Sequence, residues 1–141
     1  MAPLLSGQIK ITKVADHTAA GTTAVNSASV DMANYEGVVF LTSFGTAATD
    51  NSVNVAQSSD DSTFDDLLGT KTGATASDED VWLDIYRPSD RYVRLEAVRT
   101  TSSTLESIYA IQYGPKKLPV DNTTTGTIIG EAHVSPAEGT A

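Results

Sequence analysis

An all-β fold, a single β-sandwich with extended N- and C-terminal arms, is predicted by three features of this 141-residue sequence. The 3.6-residue apolar repeat of an amphipathic helix is missing along its length. Short runs that alternate apolar and polar residues, or that are rich in β-branched and aromatic residues, recur in its place. Loops rich in Gly, Thr and Asn separate seven or eight such runs, the texture of two packed sheets, and no period of 20 to 50 residues marks a solenoid or propeller. The Cys and Trp spacing of an immunoglobulin domain is absent, because the chain has no Cys. Periodicity does not set strand order, so jelly-roll and immunoglobulin-like arrangements both stay open at this point. The sandwich is expected over residues 8–113, between an N-terminal arm, residues 1–7, and a C-terminal arm or tail, residues 114–141.

The first run, residues 8–14, sets Ile9 and Ile11 on one face and Lys10 and Thr12 on the other, as a half-exposed strand requires. Val25 and residues 28–30 are weaker strand candidates. Val38-Val39-Phe40-Leu41-Thr42-Ser43-Phe44 is apolar on both faces, which predicts a central strand covered on both sides or a subunit contact. Residues 52–58 alternate again. The stretch from Ser58 to Gly69 reads either as a capped helical turn or as an acidic loop anchored by Phe64 and Leu67. Residues 81–86 place Val81, Leu83 and Ile85 inward and Trp82, Asp84 and Tyr86 outward. Arg87-Pro88-Ser89-Asp90 supplies a turn, since proline presets the φ wanted at its second position. A hairpin is expected there, with a return strand over residues 91–99 that turns Val93, Leu95 and Ala97 inward. A last strand over residues 105–113 carries Leu105, Tyr109, Ile111 and Tyr113 on one face and Ile108 and Ala110 on the other. Beyond Gly114 the chain is rich in Pro, Gly and Thr, although residues 127–134 have the residues for one more strand.

Composition excludes several classes of function. Without Cys there is no thiol catalysis, thiolate zinc site or iron–sulfur cluster. Eighteen acids against nine bases give a net charge of −9, which repels phosphate backbones, so no nucleic-acid partner is expected. The longest apolar run, residues 38–41, is far below the roughly 20 residues that span a bilayer. No basic region followed by an apolar run opens the chain, so neither a membrane partner nor an export signal is expected.

Catalytic and ligand-binding signals are equally sparse. His17 and His133 lie far apart and near no nucleophile motif, so both are expected on the solvated surface. Asp60-Asp61, Asp65-Asp66 and Asp78-Glu79-Asp80 supply oxygen ligands but lack calcium-loop spacing. No phosphate-binding glycine loop occurs, and Asn122-Thr123-Thr124 matches the glycosylation acceptor only at chance level. No catalytic residue, metal or cofactor is predicted. Charge is distributed unevenly: residues 50–84 hold nine acids against Lys71 alone, and residues 85–117 hold six bases against three acids. Polarised charge orients docking on a complementary surface or head-to-tail packing of copies. Arg and Tyr are mixed in the basic half, a composition enriched at interfaces. Tyr86, Arg87, Arg91, Tyr92, Arg94 and Tyr113 are therefore the candidate interface residues. The competing reading is that pairs such as Arg94 and Glu96 only neutralise each other on a wet sheet face.

Five segments together resemble the capsid cement, or head decoration, proteins of tailed bacteriophages. They are Val30-Asp31-Met32-Ala33-Asn34-Tyr35-Glu36-Gly37-Val38-Val39-Phe40, Ser58-Ser59-Asp60-Asp61-Ser62 with Phe64, Asp84-Ile85-Tyr86-Arg87-Pro88-Ser89-Asp90-Arg91-Tyr92-Val93-Arg94, Ala110-Ile111-Gln112-Tyr113-Gly114 and His133-Val134-Ser135-Pro136-Ala137-Glu138-Gly139. The resemblance runs from about residue 25 to the end, and its specificity lies in the order and number of segments. It implies a jelly-roll-like sandwich, made in the host cytoplasm, on the outer surface of the capsid in the virion. The implied partner is a major capsid protein of HK97-like fold, whose neighbouring subunits it would cement. It implies no enzyme and no cofactor. Self-association would supply multivalency, with a homodimer favoured and a trimer as the other option. A glycan- or host-surface-binding virion module is the alternative function, with Trp82 and the five tyrosines as stacking surfaces.

Overall fold

Residues 4–122 and 126–141 are described by the structure, a computed structural model, and within them the alternating runs become twelve strands with a single 3-10 turn at Leu5–Gly7. In chain order the strands are β1 (Lys10–Ala15), β2 (Thr18–Gly21), β3 (Val25–Asn26), β4 (Val30–Asp31), β5 (Gly37–Phe44), β6 (Ser52–Ser58), β7 (Asp65–Asp66), β8 (Thr72–Gly73), β9 (Glu79–Tyr86), β10 (Tyr92–Val98), β11 (Ser103–Leu105) and β12 (Ile108–Tyr113). Sheet one runs β1-β12-β5-β9, and sheet two runs β3-β10-β6-β7, with β4 also on β10 and β8 also on β6. A small ribbon joins β2 to β11. Counting β1 with β2, β3 with β4, β7 with β8, and β11 with β12 as single broken strands leaves eight, paired first with last and so inward to the fourth with the fifth. That nested pairing is the jelly roll, and every pair is antiparallel.

The core follows from period-two alternation. Val38, Phe40 and Phe44 of β5 are fully buried in one cluster with Val53, Val55, Val93 and Leu95 of sheet two and with Ile108 and Ala110 of β12. Each large side chain hidden this way contributes about 1.5–3 kcal/mol. Two polar side chains buried at one end of this interior are satisfied. Arg99, only 6% exposed, donates to the carbonyls of Ala19, Thr23 and Ser103, and so holds the β2–β11 ribbon against the end of β10. Asn51 donates to Ser103 Oγ and accepts from the Thr100 amide, tying two loops at the same end.

Several expectations need correction. Residues 81–86 and 91–99 do not form a hairpin: β9 pairs with β5 in sheet one, β10 pairs with β6 in sheet two, and Arg87 to Asp90 carries the chain between the sheets. Arg87 takes a left-handed φ of 52° at the start of that crossing, and its amide donates to the Glu36 carbonyl. Turn chemistry reports that the chain bends, and nested pairing decides which strand it meets. β5 is central in sheet one but, among the described residues, is not covered on both sides, which leaves the subunit-contact alternative for its outer face. Val38, Phe40, Thr42 and Phe44 are buried, but Val39, Leu41 and Ser43 on its other face remain partly exposed. The run over residues 105–113 is two strands, with Leu105 buried in β11 and not on the face of Tyr109. Ile11 pairs with Ile111 on the outer side of sheet one, and a bulge between Lys13 and Ala15 resets the register and places Val14 in the core. The stretch after Ser58 is a loop, not a helical turn: Asp60 accepts from Ser58 Oγ and from the Ser62 and Thr63 amides, while the Phe64 ring lies 4.0 Å from the Arg94 guanidinium.

Residues 127–134 form no strand. The preceding part of the C-terminal segment is attached to the sandwich: the Lys116 amide donates to the Asn34 carbonyl and the Val120 amide to the Gly7 carbonyl. Met1 to Pro3 of the N-terminal arm, and Thr123 to Thr125 of the C-terminal arm and the glycosylation-like triplet, lie outside the described residues.

Candidate docking surface

Strand register assembles one face that no single run displays. On the outer side of sheet one, Trp82 is level with Leu41, Tyr109 and Lys13 on successive strands, and Asp84 is level with Val39, Ile111 and Ile11. Tyr86, Gly37 and Tyr113 make a third row. Among the described residues no layer covers these rows. Trp82 is 65% exposed, Tyr86 57% and Tyr109 38%, and the aliphatic side chains between them are partly buried by their neighbours.

Gly37 shapes this face. A Cβ there would lie 2.2 Å from Cζ of Tyr113, so the missing side chain is the space the phenol ring fills. The ring crosses Gly37 and its hydroxyl donates to Asp84 Oδ1 at 2.7 Å. Burial first, and then the bond to a carboxylate, push the Tyr113 phenol up to about 12. At the end of the face Arg87 lies over the Tyr86 ring, 5.1 Å from its centroid, and its guanidinium reaches the Glu36 carboxylate at 3.4 Å.

The six residues singled out by composition divide between the two sheets. Tyr86, Arg87 and Tyr113 belong to the aromatic face or its end. Arg91, Tyr92 and Arg94 lie on or beside β10 in sheet two. Arg91 grips Asp31 through Nε and Nη2 at 2.9 and 2.8 Å, holding that carboxyl below its ordinary range, and lies over the Tyr92 ring. Arg94 is bound to Glu96 at 2.9 and 2.6 Å and stacks on Phe64. Arg91 and Arg94 are thus engaged by carboxylates within the chain. Trp82, Tyr109, Leu41 and Ile111 are not among those six, and Trp82 and Tyr109 enter the sequence reading only as stacking surfaces of the glycan-binding alternative. The signal for them was the shared parity of Trp82 with Tyr86 and of Tyr109 with Tyr113, but joining the two strands required the register.

Elsewhere, His17 Nδ1 lies 3.2 Å from Glu106 and His133 Nε2 lies 3.0 Å from Glu131, both on the surface with about half or more of the imidazole exposed. Among the described residues no group of three or more His, Asp or Glu is arranged to hold a metal ion. An apolar hollow of about 510 Å³ lies between the two chain ends, lined by Leu4, Ile11, Leu118, Val120 and Ile128.

No family model and no curated protein matches this chain. A solved structure does. The crystal structure of the PBSX exported protein XepA superposes with a TM-score of 0.54 at 20% identity, covering 94% of this chain and 47% of XepA. This chain therefore spans about half the length of XepA, and the likeness is one of fold.

Proposed function

We propose that this chain is a structural protein of a tailed-phage particle, without chemistry of its own, that docks on the outer surface of a shell of HK97-like major capsid subunits and cements contacts between neighbours. The observation that carries the reading is the uncovered aromatic face of sheet one. An apolar patch holding one Trp and two exposed Tyr is costly to leave in water and is the composition of interface centres. Two further lines support it. Segments that resemble those of cement proteins run in order through most of the chain, and the fold is shared with the PBSX exported protein XepA. Reconstitution tests it: purified protein is added to expanded shells that lack it, and sedimentation and heat resistance are measured. Co-sedimentation with a rise in shell melting temperature is expected, and neither should occur with Trp82→Ala. Wild-type protein that leaves the shells unbound and unprotected overturns the reading.

A second reading, a glycan-binding virion module, is favoured by one feature. Trp82, Asp84 and Tyr86 stand at alternate positions of β9, a carboxylate between two exposed rings, an arrangement suited to stacking on and hydrogen-bonding a sugar. Quenching or shift of Trp82 fluorescence on titration with a glycan would favour it over the shell. An unchanged spectrum across a glycan panel retires it.

A further inference from the structure

Edges, unlike faces, expose backbone donors and acceptors, and the edges of this sandwich are treated unequally. Sheet two ends in the two-residue strands β3, β4, β7 and β8, too short to template a partner. The β1 edge of sheet one is closed by a side chain. Asn122 accepts from the Ile11 amide at 2.8 Å and donates to the Ser6 and Ile9 carbonyls at 2.7 and 2.8 Å, standing in for a neighbouring strand. β9 is eight residues long and has no strand on its outer side among the described residues. Its inward side chains Leu83 and Ile85 are only partly buried, whereas Val38 and Phe40 beside them on β5 are fully buried. Among the described residues the edge lacks a strand partner, and its Leu83–Ile85 part lacks full cover.

Residues 127–134 have the complementary deficit. Thr127-Ile128-Ile129-Gly130-Glu131-Ala132-His133-Val134 has strand-forming residues, with Ile128, Ala132 and Val134 on one parity and Ile129, Glu131 and His133 on the other. Yet it forms no strand, and Ile129 and Val134 are 98% and 75% exposed. Its own β9 is on the far side. Asn122 is anchored at the β1 edge and Ile128 lines the hollow beside Leu4 and Ile11, three strand spacings, about 14 Å, from β9.

We infer that residues 127–134 of one copy add as a strand to the β9 edge of a second copy of this chain. The alternation fits the site. Ile128, Ala132 and Val134 turned inward cover Leu83 and Ile85, while Glu131 and His133 turned outward extend the row of Trp82 and Asp84. Backbone bonds supply the affinity and side-chain parity the specificity, as in other strand additions. The contact is heterologous, so it closes either as reciprocal exchange between two copies or as a ring of more.

The inference goes beyond the phage-particle reading, because purified protein alone suffices to test it. The cysteine-free sequence allows single cysteines to be paired at will. Ala132→Cys mixed with Ile85→Cys under mild oxidant should give a covalent mixed dimer several-fold above the yield of Ala132→Cys mixed with Leu68→Cys, whose site is a fully exposed loop position. Adding Ile128→Pro to the arm should return the yield to that control, since proline removes a strand donor. Leu83→Cys serves if Ile85→Cys folds poorly. Equal yields in both mixtures overturn the inference, as does an intrachain disulfide in an Ala132→Cys, Ile85→Cys double variant at high dilution. Shell binding is scored separately, so mixed dimers without shell binding count only against the phage-particle reading.

Discussion

Gly37 is the residue on which the flatness of the aromatic face depends, and the reason is space, not backbone conformation. A methyl group there would sit 2.2 Å from Cζ of Tyr113, and the whole ring would have to swing away from Asp84. Gly37→Ala is expected to cost about 1–3 kcal/mol, the usual penalty for overpacking. The Gly37→Ala, Tyr113→Ala double variant should cost less than the sum of its singles, and additive thermal-denaturation losses would contradict this account. Tyr113 also makes stability depend on pH. Its phenol holds its proton more tightly in the folded chain, about 12, than at the ordinary 10.0, so the folded state binds more protons between those values. The contribution is complete below pH 10 and is lost as pH rises towards 12. Tyr113→Phe should shrink the alkaline loss of denaturant midpoint in that window, leaving a smaller part to Tyr35, whose phenol is also raised by burial. An unchanged alkaline profile counts against the Tyr113–Asp84 contact.

At the level of elements, the alternation of residues 81–86 and 91–99 fixes which side chains turn inward, and both strands have the expected parity. Their partners were not legible. Arg87-Pro88-Ser89-Asp90 has the residues of a tight turn, and such a turn serves a hairpin and a sheet-to-sheet crossing alike. What separates the two is whether β9 meets β10 or β5, a pairing between residues about 40 apart in sequence. The same holds at the β1 edge, where Asn122 closes a strand more than 100 residues away. Asn122→Ala removes three hydrogen bonds there, each of net value about 0.5–1.5 kcal/mol. It should speed hydrogen exchange at the Ile11 amide far more than at the amides of β6, and equal protection at Ile11 before and after substitution would sink the capping role.

For the molecule as a whole, the distribution of charge and apolar surface separates stability from docking. Trp82 and Tyr86 are exposed, so Trp82→Ala and Tyr86→Ala should leave the free energy of unfolding within about 0.5 kcal/mol of wild type, as surface substitutions do, while weakening shell binding at least tenfold. Paired calorimetry and sedimentation decide this, and a variant that unfolds early while still binding reverses the assignment. Arg91 and Arg94, already engaged by Asp31 and Glu96, are expected to matter less for docking than composition alone suggests. The sequence by itself determined the all-β class, the parity of most strands, and the absence of thiol chemistry, because alternation and composition are local properties carried residue by residue. Only the tertiary structure decided the nested jelly-roll pairing, the aromatic face assembled across four strands, and the open β9 edge. Each of these is set by register between distant segments, where burial of shared apolar surface selects one pairing among many that the local pattern permits equally.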